Sequence, residues 1–165
     1  MPSKTLKLYT RDPYNHISIG FDRNLDVLFS FGRKKLNNPL NGGFVQEGIN
    51  KGLYSIFKGT ICCVYKIEIT DEEFENLKSN IDIFNKQKDK YKYNFLGLFT
   101  ALFGFPLHRQ YHYYCTQFVG KVLYTSKIVK FEKDFSFLKP VDFCDLRDSE
   151  LVYQGLLSEY KYKGA

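Results

Sequence analysis

The feature that most constrains this chain is an abrupt change of period at Thr70. Upstream, Thr60 to Ile69 (TICCVYKIEI) alternates toward its end as a half-buried strand does. Downstream, Thr70-Asp71-Glu72-Glu73 places a threonine three residues before a glutamate, the capping-box pattern. Phe74, Leu77, Ile81 and Phe84 then recur at spacings of three and four, the stripe of an amphipathic helix. A strand that runs directly into a helix requires a mixed architecture, and the rest of the chain agrees. Asn15–Phe21 (NHISIGF) and Asp26–Phe31 (DVLFSF) read as strands joined by a turn at Asp22-Arg23-Asn24. A turn-rich loop runs from Gly32 to Gly43, through Asn37-Asn38-Pro39 and Asn41-Gly42-Gly43. Asn94 to Phe103 reads as a short buried helix, stopped by Gly104 and Pro106. A further helix starts at Cys115, with Phe118, Val119, Val122 and Leu123 at helical spacing. VDFCDL, from Val141 to Leu146, reads as a loop, and Ser149 to Tyr160 as a helical turn followed by a last strand. The expected fold class is α+β, with an antiparallel sheet packed on helices in a single domain spanning residues 1–165.

The 165 residues include 16 Phe and 13 Tyr but no Trp, so aromatic rings carry much of the packing. Apolar residues make up 44% and charged residues 25%, which excludes a disordered or collagen-like chain. The longest nearly apolar run, Phe95 to Leu107, is about 13 residues, short of the roughly 20 that span a bilayer. The segment MPSKTLKLYTRDPYN has no apolar core of a secretory signal, so a cytoplasmic setting is expected, with the four cysteines reduced. The net charge of +6 favours anionic partners such as an acidic polymer or phospholipid headgroups. Nucleic acid is an unlikely partner, because no recognition motif stands out.

Chemistry concentrates at Cys115. A thiol opening a helix faces unpaired N–H groups and the positive end of the helix dipole, which favour thiolate. Its backbone N–H can contribute to an oxyanion hole. The base it lacks must come from His16, His108 or His112, the chain's three histidines. His16 opens the first strand, and a histidine on a strand can face a cysteine at the start of a packed helix. His108-x-x-x-His112-x-x-Cys115 also has metal-ligand spacing, but Pro106 argues against a continuous helix there and no fourth ligand is evident. No metal or cofactor is expected. Arg33-Lys34-Lys35 follows the second strand and offers Arg33 to a substrate carboxylate or phosphate.

NHISIGFDRNLDVLFSFGRKK, GFVQEG, CTQFVGKVL and KPVDFCDL…ELVYQGLLSEY together resemble the circularly permuted papain-like hydrolases. These are permuted relatives of the NlpC/P60 cell-wall peptidases and include YiiX/YaeF-like amidases. The likeness covers roughly residues 14 to 160, with histidine on the first core strand and cysteine at a helix start about a hundred residues later. The resemblance implies a permuted papain-like domain, with Cys115 as nucleophile and His16 as general base. The third polar group, which orients the imidazole from the following strand, falls on Ser30, where YiiX-like members carry an acid. Glu47 in GFVQEG is the other group that a loop can bring to the ring. The resemblance also implies a tyrosine hydroxyl that completes the oxyanion hole, for which Tyr14, Tyr93, Tyr111 and Tyr113 are candidates, and Tyr14, Arg33 and Glu47 are the expected substrate-binding residues. The implied function is a thiol-dependent amidase or peptidase acting on a small peptide or amide, peptidoglycan-type peptides included. The alternatives are a lipid acyl hydrolase or acyltransferase of the same fold, and a degenerate module that binds without catalysis.

Overall fold

A computed structural model of the chain describes residues 14–35, 37–38 and 41–162. The opening segment read for a signal sequence and Pro39 of the turn-rich loop lie outside those residues. The front of the chain forms a three-stranded antiparallel sheet in the order β1 (Ile19–Gly20), β2 (Leu28–Arg33) and β3 (Gly42–Glu47). The Asp22 carboxylate shapes the β1–β2 turn by accepting from the N–H groups of Asp26 and Val27 at 2.9 and 3.0 Å. The strand β4 (Ile61–Ile67) pairs antiparallel with β7 (Ser149–Leu156), closing the chain's back end onto its middle. Two-residue strands β5 (Lys92–Tyr93) and β6 (His112–Tyr113) pair in parallel. The helices are α1 (Gly52–Ile56), α2 (Asp71–Lys86), α3 (Phe95–Leu102) and α4 (Cys115–Thr125). The fold is therefore α+β, a small single domain with, among the described residues, two antiparallel sheets, one short parallel pair and four helices. None of the helices among the described residues is long and apolar enough to cross a membrane.

The capping box at Thr70 forms as the spacing requires. Glu73 Oε2 accepts from the Thr70 N–H at 2.8 Å, and Thr70 Oγ1 accepts from the Glu73 N–H at 3.3 Å. Leu77, Ile81 and Phe84 of α2 are buried. Phe84 then meets Phe31 of β2, Phe44 of β3 and Phe118 of α4 at ring-centroid distances of 6.1, 6.0 and 5.0 Å. Phe31 and Phe118 are completely buried and lie 5.3 Å apart. These four rings lock sheet and helices together, with the tilted and edge-on contacts that aromatic quadrupoles favour.

Several elements depart from the sequence reading. The turn-rich loop ends earlier than expected, because Gly42 and Gly43 already pair with Arg33 and Gly32 as the start of β3. A Cβ on Gly42 would lie 2.8 Å from Tyr93 Cβ, and one on Gly43 would lie 2.4 Å from the Tyr91 carbonyl oxygen. The two glycines are thus what lets β3 cross directly over the Tyr91–Tyr93 segment. The chain's end reverses the expected order: strand β7 comes first and a 3-10 turn, Leu157–Glu159, follows. Pro140–Phe143 is a 3-10 turn with Phe143 buried, where a plain loop was expected. α3 exists, capped by Asn94, whose Oδ1 accepts from the Gly97 N–H at 3.0 Å. It is not a buried helix, however, since Phe95, Leu96 and Phe99 are exposed, as is Phe103 beyond its end. High hydrophobicity alone suggested burial, and hydrophobicity does not say whether a neighbour is present to cover the helix.

Equilibrium denaturation should separate these roles. Phe31→Ala should cost about 3–5 kcal/mol by opening the ring cluster. Thr70→Ala should cost about 1 kcal/mol through the lost cap. Phe99→Ala, on the uncovered face, should change stability by less than about 0.5 kcal/mol.

Candidate active site

The segment carrying His16 precedes β1, whose ladder pairs only Ile19 and Gly20 with β2. A buried serine extends the attachment: Ser30 Oγ donates to the Ile17 carbonyl at 2.6 Å. The expected part for Ser30, as the group that orients the imidazole, is therefore corrected. Its hydroxyl is committed to the backbone beside His16, and the side chain that reaches the ring is Glu47. Glu47 Oε2 lies 3.2 Å from His16 Nε2 and accepts from Ser18 Oγ at 2.9 Å. Glu47 ends β3, so the strand entered through the glycine pair delivers the carboxylate at its other end. Gly32 lies directly against the imidazole, where a Cβ would stand 3.5 Å from His16 Cε1, an ordinary packing contact.

Cys115 is the first residue of α4, as its position before the helical stripe suggested. The first turn of α4 has no acidic side chain, so nothing within it offsets the helix's positive end. Gln117 Oε1 reaches back to the Tyr114 N–H at 3.3 Å, and the Tyr114 hydroxyl donates to the Ser136 carbonyl. These bonds hold the helix start in place. His16 and Cys115, 99 positions apart, come together: the thiol is near enough to bear on the protonation of the imidazole. Cys115 retains 6% of its surface, while the His16 side chain retains 29% and Glu47 10%.

The electrostatics follow from this enclosure. Packing around the His16 ring opposes its charge, but the Glu47 carboxylate 3.2 Å away favours it, and the imidazolium is held well above its ordinary 6.5. Burial likewise opposes ionisation of Glu47, yet His16 and the Ser18 hydrogen bond draw its carboxyl below the ordinary 4.5. Burial raises the Tyr54 hydroxyl, so at neutral pH Tyr54 stands beside His16 as a neutral phenol and the charge facing the ring is that of Glu47. Tyr54 and Ser18 were not among the residues singled out from sequence. Tyr54 lies on α1, a five-residue helix without a cap or an apolar stripe to announce it, with its ring centroid 6.4 Å from that of His16.

An open cleft of about 1210 Å³ adjoins the cluster, with His16, Glu47, Tyr54, Tyr93 and Arg33 among its lining residues. Cys115 itself is buried and is not among the residues that line the cleft. Burial raises the Tyr93 hydroxyl, with Cys115 adding to the effect and Arg33 opposing it, so this tyrosine sits near both. Tyr14 also lines the cleft, but its hydroxyl is 2.7 Å from Cys63 Sγ and accepts from Gln154 Nε2. Tyr111 and Tyr113 serve packing, with Tyr111 against Tyr91 and Tyr113 against Phe31 and Phe84. The histidines of the metal-like spacing are engaged elsewhere: His108 Nε2 is 2.8 Å from Asp134 Oδ2 and His112 Nδ1 is 2.7 Å from the Gln110 carbonyl. All four cysteines are free. Burial pushes the Cys62 thiol up to about 11, which disfavours it as a nucleophile at neutral pH.

The chain matches no protein-family model, no curated protein and no solved structure.

The two shifted groups define a pH window. The raised His16 contributes stability below its unfolded value of 6.5, lost as pH rises through the folded value. The lowered Glu47 contributes stability above 4.5, lost as pH falls through the folded value. The stability difference between wild type and Glu47→Gln should therefore be largest between 4.5 and 6.5 and shrink on either side. NMR titration of the His16 ring should show its midpoint falling in Glu47→Gln.

Proposed function

We propose that the protein is a thiol-dependent hydrolase that cleaves an amide bond through Cys115, His16 and Glu47, on a circularly permuted papain-like fold. One observation carries this reading: a single imidazole stands between a thiol at a helix start and a carboxylate 3.2 Å from its Nε2. With Nε2 engaged by Glu47, Nδ1 is the nitrogen left to exchange a proton with sulfur. Glu47 thus takes the orienting part first assigned to Ser30, and as a carboxylate it stabilises imidazolium better than a hydroxyl does.

The reaction begins with Cys115 as thiolate beside a His16 already held as imidazolium. The thiolate attacks the amide carbonyl, forming a carbon–sulfur bond and an oxyanion that the Cys115 backbone N–H helps to hold. Collapse breaks the carbon–nitrogen bond, and the His16 imidazolium protonates the departing amine. Water then adds to the thioester, losing its proton to His16, and the carbon–sulfur bond breaks to release the acid and the thiol. Arg33, on the cleft wall and near Tyr93, is placed to meet a substrate carboxylate. The cleft lining is largely apolar, with Ile17, Leu28, Leu53 and Val64 beside His16, Glu47 and Arg33, a mixture that suits a small amide or peptide carrying an apolar group.

Competitive labelling tests the reading. Iodoacetamide at about pH 6 should alkylate Cys115 ahead of Cys62, Cys63 and Cys144, and His16→Ala should remove that preference. Equal, slow modification of all four thiols in the wild type would refute a poised nucleophile. Once a hydrolysed amide is in hand, Cys115→Ala should abolish turnover, and Glu47→Gln should lower kcat by roughly 10²–10⁴-fold.

A further inference from the structure

The helix α3 is inverted relative to an ordinary surface helix. It carries no charged residue. Phe95, Leu96 and Phe99, with Phe103 immediately after its end, project within an arc of about 100° at 100° per residue. That arc faces solvent: the four residues are 40, 52, 59 and 64% exposed, and Phe105 beyond them is 68% exposed. The Phe99 and Phe103 rings pack on one another at 5.1 Å and Phe95 packs on Tyr93 at 4.6 Å, so the exposed rings gather in two pairs along one face. Isolated exposed apolar residues need no explanation, but rings gathered on one face mark a surface that something covers.

The charges that flank the patch in sequence point to the occupant. Between Asn85 and Tyr114 the chain has five cationic side chains, Lys86, Lys88, Lys90, Lys92 and Arg109, against one acid, Asp89. All five are exposed. They flank the aromatic face on both sides in sequence, and the pairing of β5 with β6, together with the Arg109–His112 bridge, draws Lys92 and Arg109 toward each other. The neighbouring Asp134 is already bound by His108 and by the Ser136 N–H. Aromatic side chains at the level of the acyl boundary, with lysine and arginine at the headgroups, are the arrangement of an interfacial membrane helix. A second copy of this chain seated face to face would set one cationic rim against another.

We infer that the face formed by Phe95, Leu96, Phe99, Phe103 and Phe105 docks the protein onto an anionic phospholipid bilayer, lying in the interface without crossing it. Tyr93, Phe95 and Leu98 also line the cleft, so docking sets the cleft beside the bilayer surface. This inference is independent of the chemistry proposed for Cys115.

Vesicle sedimentation of the full chain tests it. The protein should pellet with phosphatidylcholine–phosphatidylglycerol vesicles, more weakly with phosphatidylcholine alone, and less as salt is raised. The double variant Phe99→Ser, Phe103→Ser should lose roughly tenfold or more in vesicle affinity. Lys92→Gln with Arg109→Gln should lose the preference for the anionic lipid. The chain has no tryptophan, so Phe103→Trp adds a single reporter whose emission should shift to the blue on adding anionic vesicles. Failure to pellet with either vesicle, or an unshifted Phe103→Trp emission, overturns the inference. So does a dimer in light scattering that the Phe99→Ser, Phe103→Ser variant dissociates, because the patch would then belong to a second copy.

Discussion

The packing of four phenylalanine rings underlies everything else in this molecule. Phe31 and Phe44 come from neighbouring strands, Phe84 from α2 and Phe118 from α4. Phe118 sits one turn after Cys115, so the contact that buries its ring also sets the start of α4 against the sheet. Phe31 adjoins Ser30, which ties down the segment bearing His16. The meeting of sulfur and imidazole is thus a by-product of apolar packing: the core fixes the two backbones, and the side chains inherit the encounter.

The acid–base cluster has the layered support that enclosed charge requires. Glu47 is shielded, yet it faces a cation and accepts from a hydroxyl, so its desolvation is offset by bonds that favour the ionised form. Ser30 acts one step further away, through the main chain. The two residues differ in what they touch: Ser30 sets where the histidine's backbone runs, and Glu47 sets how its ring is turned and charged.

Much of this arrangement was legible from residue order, in proportion to how local the signals were. The switch at Thr70, the α2 stripe and the start of α4 at Cys115 depend on contacts within one turn of helix, and the structure has all three. The pairing of His16 with Cys115 was reached by asking which base a helix-start thiol would need, helped by a likeness to permuted papain-like enzymes. Less legible were features that depend on partners distant in sequence. GFVQEG was read only as the possible loop source of a carboxylate, because nothing in its own pattern shows that Gly42 and Gly43 are needed for a strand to cross Tyr91–Tyr93. Tyr54 gave no sign, since α1 is too short to have periodicity. The exposure of α3 was missed for the converse reason: an apolar run looks the same whether its neighbour belongs to the protein or to something outside it.

The glycine crossing at the entry to β3 has a wider consequence. Any side chain placed there would collide with the Tyr91–Tyr93 segment and lift one end of a six-residue rod whose opposite end holds the carboxylate. A saturation screen scored on the proposed activity would then flag Gly42 and Gly43 as intolerant, alongside Cys115, His16 and Glu47, although neither glycine has any chemistry to contribute. In this protein, indispensability in such a map would report leverage as readily as participation.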